Sequence, residues 1–320
     1  TNYPLDPKMA EYFAAENIHI VSRPLSQPLS QDILRQFHLV ILTTFSGLRA
    51  PWFALGDSLA DYYTLRQSVN ELRTYVESGG GLFFIPEFGW AGTEAAETMG
   101  ELLDPWGIGV VAASPYDPAH AWQTYGWTEN ISRSPVTRGM SRLYYPMIIG
   151  RWDDLYPTAT LTIRDAKRWT PVVRGMKGSI TAKNIQSGEN AGWYPVPGSQ
   201  DPPVLAAAAE LGAGRAAILT ISPLYLLATP YLAPDKTWYG EFTTGPIDGV
   251  GVEKGDGQTP SQGRELVRNA LTWLAGPAAA KGFGSYTPDA YAKLPLPPKS
   301  LVPGWLYGWN TPNNGPFHKV

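Results

Sequence analysis

Glu87 is the residue whose type and position could do chemistry most directly. It follows a short unbroken apolar run at residues 82–85 and precedes helix-forming residues that begin near residue 91. Three glycines at residues 79–81 free the backbone before the apolar run, so the pattern predicts a buried strand that leads into a helix. A carboxylate at that junction meets a positive helix dipole, at the edge where open α/β sheets bind ligands. The alternative is that Glu87 caps the helix or pairs with an arginine such as Arg49.

His120 and Asp117 lie in the aromatic-rich loop at residues 115–127 and could work together with Glu87. When this loop folds over the strand ends, His120 and Glu87 form an acid/base pair, with Asp117 as a further carboxylate. Such a set predicts a secreted hydrolase or lyase that acts on a glycan or a related polar substrate. The competing interpretation is that His120 is structural, as we expect for the other three histidines, because no two histidines have metal-ligand spacing.

The acidic stretch at residues 248–256 is the place where a metal site can be considered. Asp248, Glu253 and Asp256 offer oxygen ligands for calcium, but their spacing differs from that of an EF-hand loop. Calcium therefore stays an alternative, and we expect no metal and no cofactor. The glycines of Gly212-Ala213-Gly214 do not open a helix, which excludes a phosphate-binding loop there.

The composition excludes several classes of protein. The 320 residues carry a net charge of −3 with 17% charged residues, so no basic stripe is present for a nucleic-acid backbone. No apolar run reaches the ~18–20 residues that a transmembrane segment needs. The absence of cysteine excludes disulfides, thiolate metal ligands and a cysteine nucleophile. The start at Thr1 without methionine, with many aromatic residues and prolines, predicts an extracytoplasmic protein, periplasmic or secreted.

Strands and helices alternate along most of the chain. The sequence predicts helices at residues 7–16, 31–37, 62–77, 93–103 and 264–274, and strands at residues 18–21, 39–43, 82–85, 108–112, 204–211 and 216–221. This alternation favours an α/β fold with a mostly parallel sheet covered by helices on both sides. Between residues 114 and 200 the pattern is interrupted, which predicts a β-rich insertion of hairpins and loops on one rim, with short strands at residues 158–163 and 171–174.

From residue 280 the chain is rich in proline, glycine and aromatic residues, so we predict an α/β domain at residues 1–279 and an extended arm at residues 280–320. Aromatic rings gain ~1.5–3 kcal/mol each when buried, so the arm should dock on its own domain or on a neighbour. Other aromatic residues lie in predicted rim loops, where they either pack the loops onto the core or contact a partner or ligand. The predicted contact residues are Trp52, Trp90, Trp122, Trp127, Trp238, Tyr239, Trp305, Tyr307, Trp309 and Phe317.

Four motifs, in this order, are similar to those of a known family: LRTYVESGGGLFFIPEFG, SPVTRGM, AELGAGRAAILTIS and RELVRNALTWLAG. They resemble the glutamine-amidotransferase-like domains of the class I, flavodoxin-like superfamily, in a branch without amidotransferase activity. The resemblance extends over residues 2–276 and depends on Gly79-Gly80, on Gly212-Ala213-Gly214-Arg215 and on residues 269–274. It implies a three-layer, flavodoxin-like sheet.

Two features depart from that family. Its catalytic members place a cysteine nucleophile in the turn after the strand, and Glu87 stands at that position here. A carboxylate cannot replace a thiolate in glutamine hydrolysis without changing the chemistry, so the chain is not a glutamine amidotransferase. Family members also open with a central strand before the first helix, where this sequence has only Thr1-Asn2-Tyr3. We therefore expect that strand to come from residues outside this sequence or to be replaced from elsewhere.

Two functions from different classes follow. We favour a pseudoenzyme, a non-catalytic binding or structural subunit of a larger extracytoplasmic protein assembly, attached through its aromatic loops and its C-terminal arm. The alternative is a secreted glycan-active hydrolase or lyase that uses Glu87 with His120 or Asp117. The expected partners are other protein subunits, and a glycan is the alternative ligand.

Overall fold

The computed structural model describes residues 7–21, 29–42, 59–86, 100–111, 113–120, 125–147, 158–185, 192–221 and 261–287. The α-helices described over their full length are α1 (Pro7–Ala15), α2 (Gln31–Leu34), α3 (Leu59–Glu77) and α4 (Gly263–Ala280), and residues 100–103 are also helical. The strands are β1 (Leu39–Leu42), β2 (Gly81–Phe84), β3 (Ile108–Val111), β4 (Ser114–Tyr116), β5 (Tyr125–Thr128), β6 (Leu143–Pro146), β7 (Thr160–Ile163), β8 (Trp169–Arg174), β9 (Ile180–Ile185), β10 (Gly192–Pro195), β11 (Val204–Leu211) and β12 (Gly214–Leu219). None of the helices in the described ranges is both long and apolar enough to cross a lipid bilayer.

Within the described ranges, the main sheet holds seven strands in the order β1-β2-β12-β11-β7-β3, with β8 also paired to β11. The pairs β1–β2 and β2–β12 are parallel, whereas β11 with β12, β7 and β8, and β3 with β7, are antiparallel. The described sheet is therefore mixed, and the expectation of a mostly parallel sheet is wrong for it. A short connection explains one of these antiparallel pairs, because the two-residue turn Gly212-Ala213 between β11 and β12 can join only antiparallel strands.

Three further expectations about the sheet are wrong. Residues 18–21 form no strand: Asn17 has a left-handed φ of 60°, and no described strand pairs with the segment, although Ile18 and Ile20 pack on the core. The insertion is not confined to one rim, because its strands β7 and β8 pair within the main sheet. The described sheet also has no gap in its middle where a strand would be missing, because the strands pair continuously from β1 to β3.

The side chains of β2 alternate between two hydrophobic clusters. Leu82 and Phe84 pack in the cluster that contains Val69, Leu72 and Val76 of α3. Phe83 and Ile85 pack in the cluster that contains five apolar residues of α4, which are Leu266, Val267, Ala270, Leu271 and Leu274. Because successive strand residues point to opposite faces, α3 and α4 cover opposite faces of this part of the sheet.

The Gly-Ala-Gly-Arg turn meets α3 and α4 at the amino-terminal end of β12. A Cβ on Gly214 would overlap the Val76 carbonyl oxygen, so the hairpin approaches α3 closely only with glycine there. The Arg215 guanidinium lies 4.9 Å from the centre of the Trp273 ring and donates a hydrogen bond of 2.8 Å to the Trp273 carbonyl oxygen. These contacts show that the glycine turn and the final helix pack on each other.

The segment SPVTRGM packs against α4. Ser134 and Thr137 form a capping box around the short 3-10 helix Pro135–Thr137, and Val136 is buried in the core. The side-chain amide of Asn269 donates a hydrogen bond of 2.9 Å to the carbonyl oxygen of Arg138. The segment thus connects the β5–β6 hairpin to the helix that covers the main sheet.

The chain after α4 turns back onto its own domain. The Phe283 ring stacks on Tyr75 with 5.8 Å between ring centres, and the Tyr286 ring stacks on Phe37 at 5.0 Å. The Tyr75 hydroxyl donates to the Phe37 carbonyl oxygen at 2.8 Å. The described beginning of the arm therefore docks beside the amino-terminal end of β1, and residues 288–320 lie outside the described residues.

Candidate functional site

The carboxyl ends of β1, β2 and β12 lie at one edge of the main sheet because these strands are mutually parallel. Ile85 and Pro86 follow β2 and are buried. Glu87 comes next but lies outside the described residues, as does Arg49, so the role of Glu87 stays a prediction. The same holds for a larger set of predicted site residues: Trp52, Trp90, Trp122, Trp238, Tyr239, Asp248, Glu253, Asp256, Trp305, Tyr307, Trp309 and Phe317.

Asp117 follows β4 and is only 5% exposed. One carboxylate oxygen accepts a hydrogen bond of 2.9 Å from the N–H of Ala119, the middle residue of the short 3-10 helix Pro118–His120. The backbone of His120 belongs to this helix, while its side chain lies outside the described atoms. Asp117 therefore has a clear structural role in shaping this turn, and its burial leaves little of it open to a substrate.

The Tyr145 hydroxyl joins β6 to the turn before β9. It accepts a hydrogen bond of 3.0 Å from the N–H of Met176 and contacts the hydroxyl of Ser179, which donates to the Met176 carbonyl oxygen at 2.6 Å. Burial raises the pKa of Tyr145 above its ordinary value, and the negative charge of Asp117 adds to this rise. Tyr145 is therefore a neutral anchor for the hairpin rather than a proton acceptor.

Trp127 is a predicted contact residue that the structure places at the surface. On β5, Gly126 and Thr128 are buried, whereas Trp127 is 41% exposed, as the pleat of a strand requires. A Cβ on Gly126 would overlap the Tyr145 ring on the paired strand β6. The Thr128 hydroxyl donates a hydrogen bond of 3.2 Å to the carbonyl oxygen of Gly175. The hairpin is thus fixed on its inner face and presents Trp127 on its outer face.

Arg142 and Glu129 lie beside Trp127. The guanidinium carbon of Arg142 is 4.6 Å from the centre of a Trp127 ring, which is a cation–π contact. Its Nη2 atom is 2.6 Å from Oε1 of Glu129, and this hydrogen bond raises the pKa of Arg142 above its ordinary value. The arginine is therefore a permanent cation held in one position. We call Trp127, Glu129 and Arg142 the hairpin surface.

The rest of the described structure contains weaker candidates for a ligand or metal site. Across the described ranges, no group of three or more His, Cys, Asp or Glu side chains is arranged to hold a metal ion. An open cavity of about 280 Å³ lies near the amino-terminal edge of the main sheet, lined by Glu77, Trp106, Arg168, Leu211 and Gly212. Glu77 accepts a hydrogen bond of 3.0 Å from the indole N–H of Trp106 there, so its carboxylate already positions a core residue.

Comparisons with known proteins show distant similarity in structure only. No family model and no curated protein matches the chain. The mmIFT52 N-terminal domain is 14% identical with a TM-score of 0.41, over 67% of this chain and 78% of that one. The cytoplasmic protein STM3548 from Salmonella typhimurium is 14% identical with a TM-score of 0.43, over 84% and 87%. A β-galactosidase from Rahnella sp. R3 is 11% identical with a TM-score of 0.30, over 62% and 23%. These similarities are too low to support a function.

The sequence predicts Trp127 as a contact residue, but it does not predict Arg142 and Glu129, which lie beside the ring. Arg142 and Glu129 lie 13 residues apart in the chain, and only the pairing of β5 with β6 brings them together. The glycine of Tyr125-Gly126-Trp127-Thr128 was the available signal, because a glycine inside an alternating run marks a close approach by another group. That group is the ring of Tyr145.

Proposed function

We propose that this protein is a non-catalytic binding or structural subunit of a larger extracytoplasmic protein assembly, and that the hairpin surface is one of its attachment points. The observation that carries the proposal is the exposure of Trp127 on a hairpin whose inner face is buried and hydrogen-bonded. A partner that covers this ring gains the free energy of burying it, and no entropy is lost in ordering the strand, because the strand is already fixed.

The residue types of the hairpin surface suit a protein interface. Tryptophan and arginine are the residues most often found at the positions that dominate interface energies. Arg142 already holds one conformation through its contacts with Trp127 and Glu129, so little side-chain entropy is lost on binding. A partner with an apolar side chain beside a carboxylate or a carbonyl group would fit Trp127 and Arg142 together.

The C-terminal arm is the second proposed attachment. Phe283 and Tyr286 hold its described beginning against Tyr75 and Phe37, beside the amino-terminal end of β1. The aromatic residues Trp305, Tyr307, Trp309 and Phe317 belong to the rest of the arm and are the residues that we propose contact a partner.

We further propose that the scaffold is of the class I amidotransferase-like, flavodoxin-like type with three layers. Support comes from the helices α3 and α4 on opposite faces of β2, and from the packing of the glycine turn on the final helix. The location outside the cytoplasm is proposed from composition, and fractionation of the native source would test it. Recovery of the protein only with cytoplasmic markers would reject that location.

The function is tested by isolating the tagged protein from its native source and measuring the mass of the complex that it forms. The variant is Trp127→Ala, and the control is Tyr194→Ala, which removes an aromatic ring that is 43% exposed on β10. We expect Trp127→Ala to weaken the association by about tenfold or more and Tyr194→Ala to leave it nearly unchanged. Isolation of the protein without other subunits, or equal behaviour of both variants, would contradict the proposal.

A further inference from the structure

Strand β1 is an edge of the main sheet and consists of four aliphatic residues, Leu-Val-Ile-Leu. Leu39, Val40 and Ile41 are each partly exposed. Within the described residues, β1 pairs with β2 alone. From Gln36 to Leu42 there is no Lys, Arg, Asp or Glu, and no proline. Natural edge strands normally carry such residues because they prevent pairing with another chain.

The outer hydrogen-bonding groups of β1 can be assigned from its bonds to β2. The carbonyl oxygens of His38 and Leu42 accept from the N–H groups of Gly81 and Ile85 on and after β2. The backbone N–H and C=O of one strand residue point to the same side, and the side alternates from residue to residue. Because His38 and Leu42 face β2, the backbone groups of Leu39 and Ile41 point away from β2. Neither residue has a backbone hydrogen bond on that side within the described part of the chain.

The opposite edge of the sheet, β3, is blocked. The Arg164 guanidinium donates a hydrogen bond of 2.7 Å to the carbonyl oxygen of Ile108, an outward-facing group of β3, and also pairs with Asp104. A charged side chain over an edge carbonyl group hinders the approach of another strand. Among the described residues, the same sheet therefore has one edge blocked by a charged side chain and one edge with no such block.

We infer that β1 is a dimerisation edge, which pairs in the antiparallel direction with β1 of a second copy of this chain. With Val40 opposite Val40 of the other copy, Leu39 of each chain faces Ile41 of the other. Each of these two residue pairs exchanges two N–H to O=C bonds, so all outward groups of both strands are satisfied. The two sheets then form one continuous sheet about a two-fold axis.

A second copy is the occupant that the charges favour. Like charges that face each other destabilise paired strands, and two copies of the run from Gln36 to Leu42 bring no lysine, arginine, aspartate or glutamate together. The nearest cation along the chain, Arg35, lies 5.6 Å above the Phe283 ring of its own domain. This dimer edge is separate from the hairpin surface and does not depend on the proposed function.

The cross-linking variant Val40→Cys tests the pairing directly, because the chain has no other cysteine. Residues at the centre of the proposed strand pair form a non-hydrogen-bonded pair with Cα atoms about 4.5 Å apart, within the range for a disulfide. We expect this variant to become a covalent dimer on mild oxidation. The control is Val110→Cys on the blocked strand β3, and it should stay monomeric.

A second pair of variants removes one outward N–H group from each edge. Ile41→Pro leaves the bonds between β1 and β2 in place, so we expect a folded monomer of 35.0 kDa where the unmodified chain has twice that mass. Val110→Pro makes the same change on β3 and should leave the dimer intact. Mass is measured by light scattering and folding by circular dichroism.

Two results would overturn the inference. One is a monomer at every concentration together with no cross-linking of Val40→Cys. The other is a dimer that persists in folded Ile41→Pro, because such a dimer would use a different surface. If Ile41→Pro does not fold, the cross-linking pair decides on its own, since cysteine retains the backbone N–H.

Discussion

The two edge strands of the main sheet, β1 and β3, have similar sequences but different surroundings. Both contain four residues, mostly aliphatic, and each pairs with one neighbour among the described strands. At β3, the side chain of Arg164 donates a hydrogen bond to the outward-facing carbonyl oxygen of Ile108. At β1, no charged residue lies between Gln36 and Leu42. A sheet edge can thus be blocked by a residue outside the edge strand itself, here by Arg164, which lies 56 positions from Ile108 in the chain.

The largest expected effect on the free energy of unfolding comes from replacing one glycine at each edge, Gly81 on β2 opposite Leu39 of β1 and Gly109 on β3. A Cβ on Gly81 would lie 2.7 Å from the Leu274 carbonyl oxygen and 2.9 Å from Leu39 Cβ, whereas a Cβ on Gly109 would meet only the flexible Arg164 side chain at 3.0 Å. We expect Gly81→Ala to lower the free energy of unfolding by about 3 kcal/mol. Gly109→Ala should change it by less than about 1 kcal/mol. Urea unfolding measures both, and equal losses would show that the close contact at β1 is not real.

The second prediction concerns pH, because the β1 side is anchored by a titrating residue. Burial raises the pKa of Tyr75 above its ordinary value, and its hydroxyl donates to Phe37 just before β1. On the β3 side the comparable anchor is the indole of Trp169, which donates to the Trp106 carbonyl oxygen and does not titrate.

A raised pKa in the folded state means that the contribution of Tyr75 to stability is complete below about pH 10 and is lost as pH rises through the folded-state pKa. We expect the free energy of unfolding to fall there by about 1.4 kcal/mol per pH unit for each such tyrosine. Tyr75→Phe should remove one of these contributions, and Tyr145→Phe, the matched variant, should remove another. An unchanged slope in Tyr75→Phe would contradict the prediction.

The third prediction removes the group that blocks β3. Arg164→Ala frees the Ile108 carbonyl oxygen, so we expect new self-association through β3, visible by light scattering as species larger than the parent. The accompanying loss of stability should be about 1 kcal/mol, because the arginine is 48% exposed. The control is Arg168→Ala, which removes a neighbouring cation paired with Asp165. Larger species in the control but not in Arg164→Ala would assign the block to the wrong arginine.

The smallest effect is expected for Asp104→Asn. Asp104 is 62% exposed, so its ion pair with Arg164 should contribute less than about 0.5 kcal/mol. Arg164 still donates to Ile108 in this variant, and the self-association of the protein should therefore match that of the parent. Association as strong as in Arg164→Ala would show that Asp104 is needed to hold the arginine in place.

Much of the local structure could be predicted from periodicity. The strands predicted at residues 204–211 and 216–221 form as β11 and β12, and the helix predicted at residues 264–274 forms within α4. Ser30 begins α2 as an N-cap residue, with its side chain accepting from Ile33 N–H. These features depend on residues close together in the chain, which is why a single sequence reveals them.

Strand pairing and the setting of the site could not be predicted in the same way. The strands β7 and β8 join the main sheet through β11, although they read as short rim strands, because pairing is decided by distant partners. The sequence places Asp117 in a loop, where it could meet a substrate, but the fold buries it. Trp127 was selected for its type, and its exposure depends on Gly126 and Tyr145, which are distant from each other in sequence.

Amide hydrogen exchange at single residues of β1 tests the open edge most directly. In dilute solution the N–H groups of Leu39 and Ile41 should exchange fast, whereas Val40 and Leu42, which face β2, should be protected. On raising the protein concentration, Leu39 and Ile41 should become protected together. Protection of both amides in the dilute monomer would contradict the account, because it would mean that β1 already has a partner within its own chain.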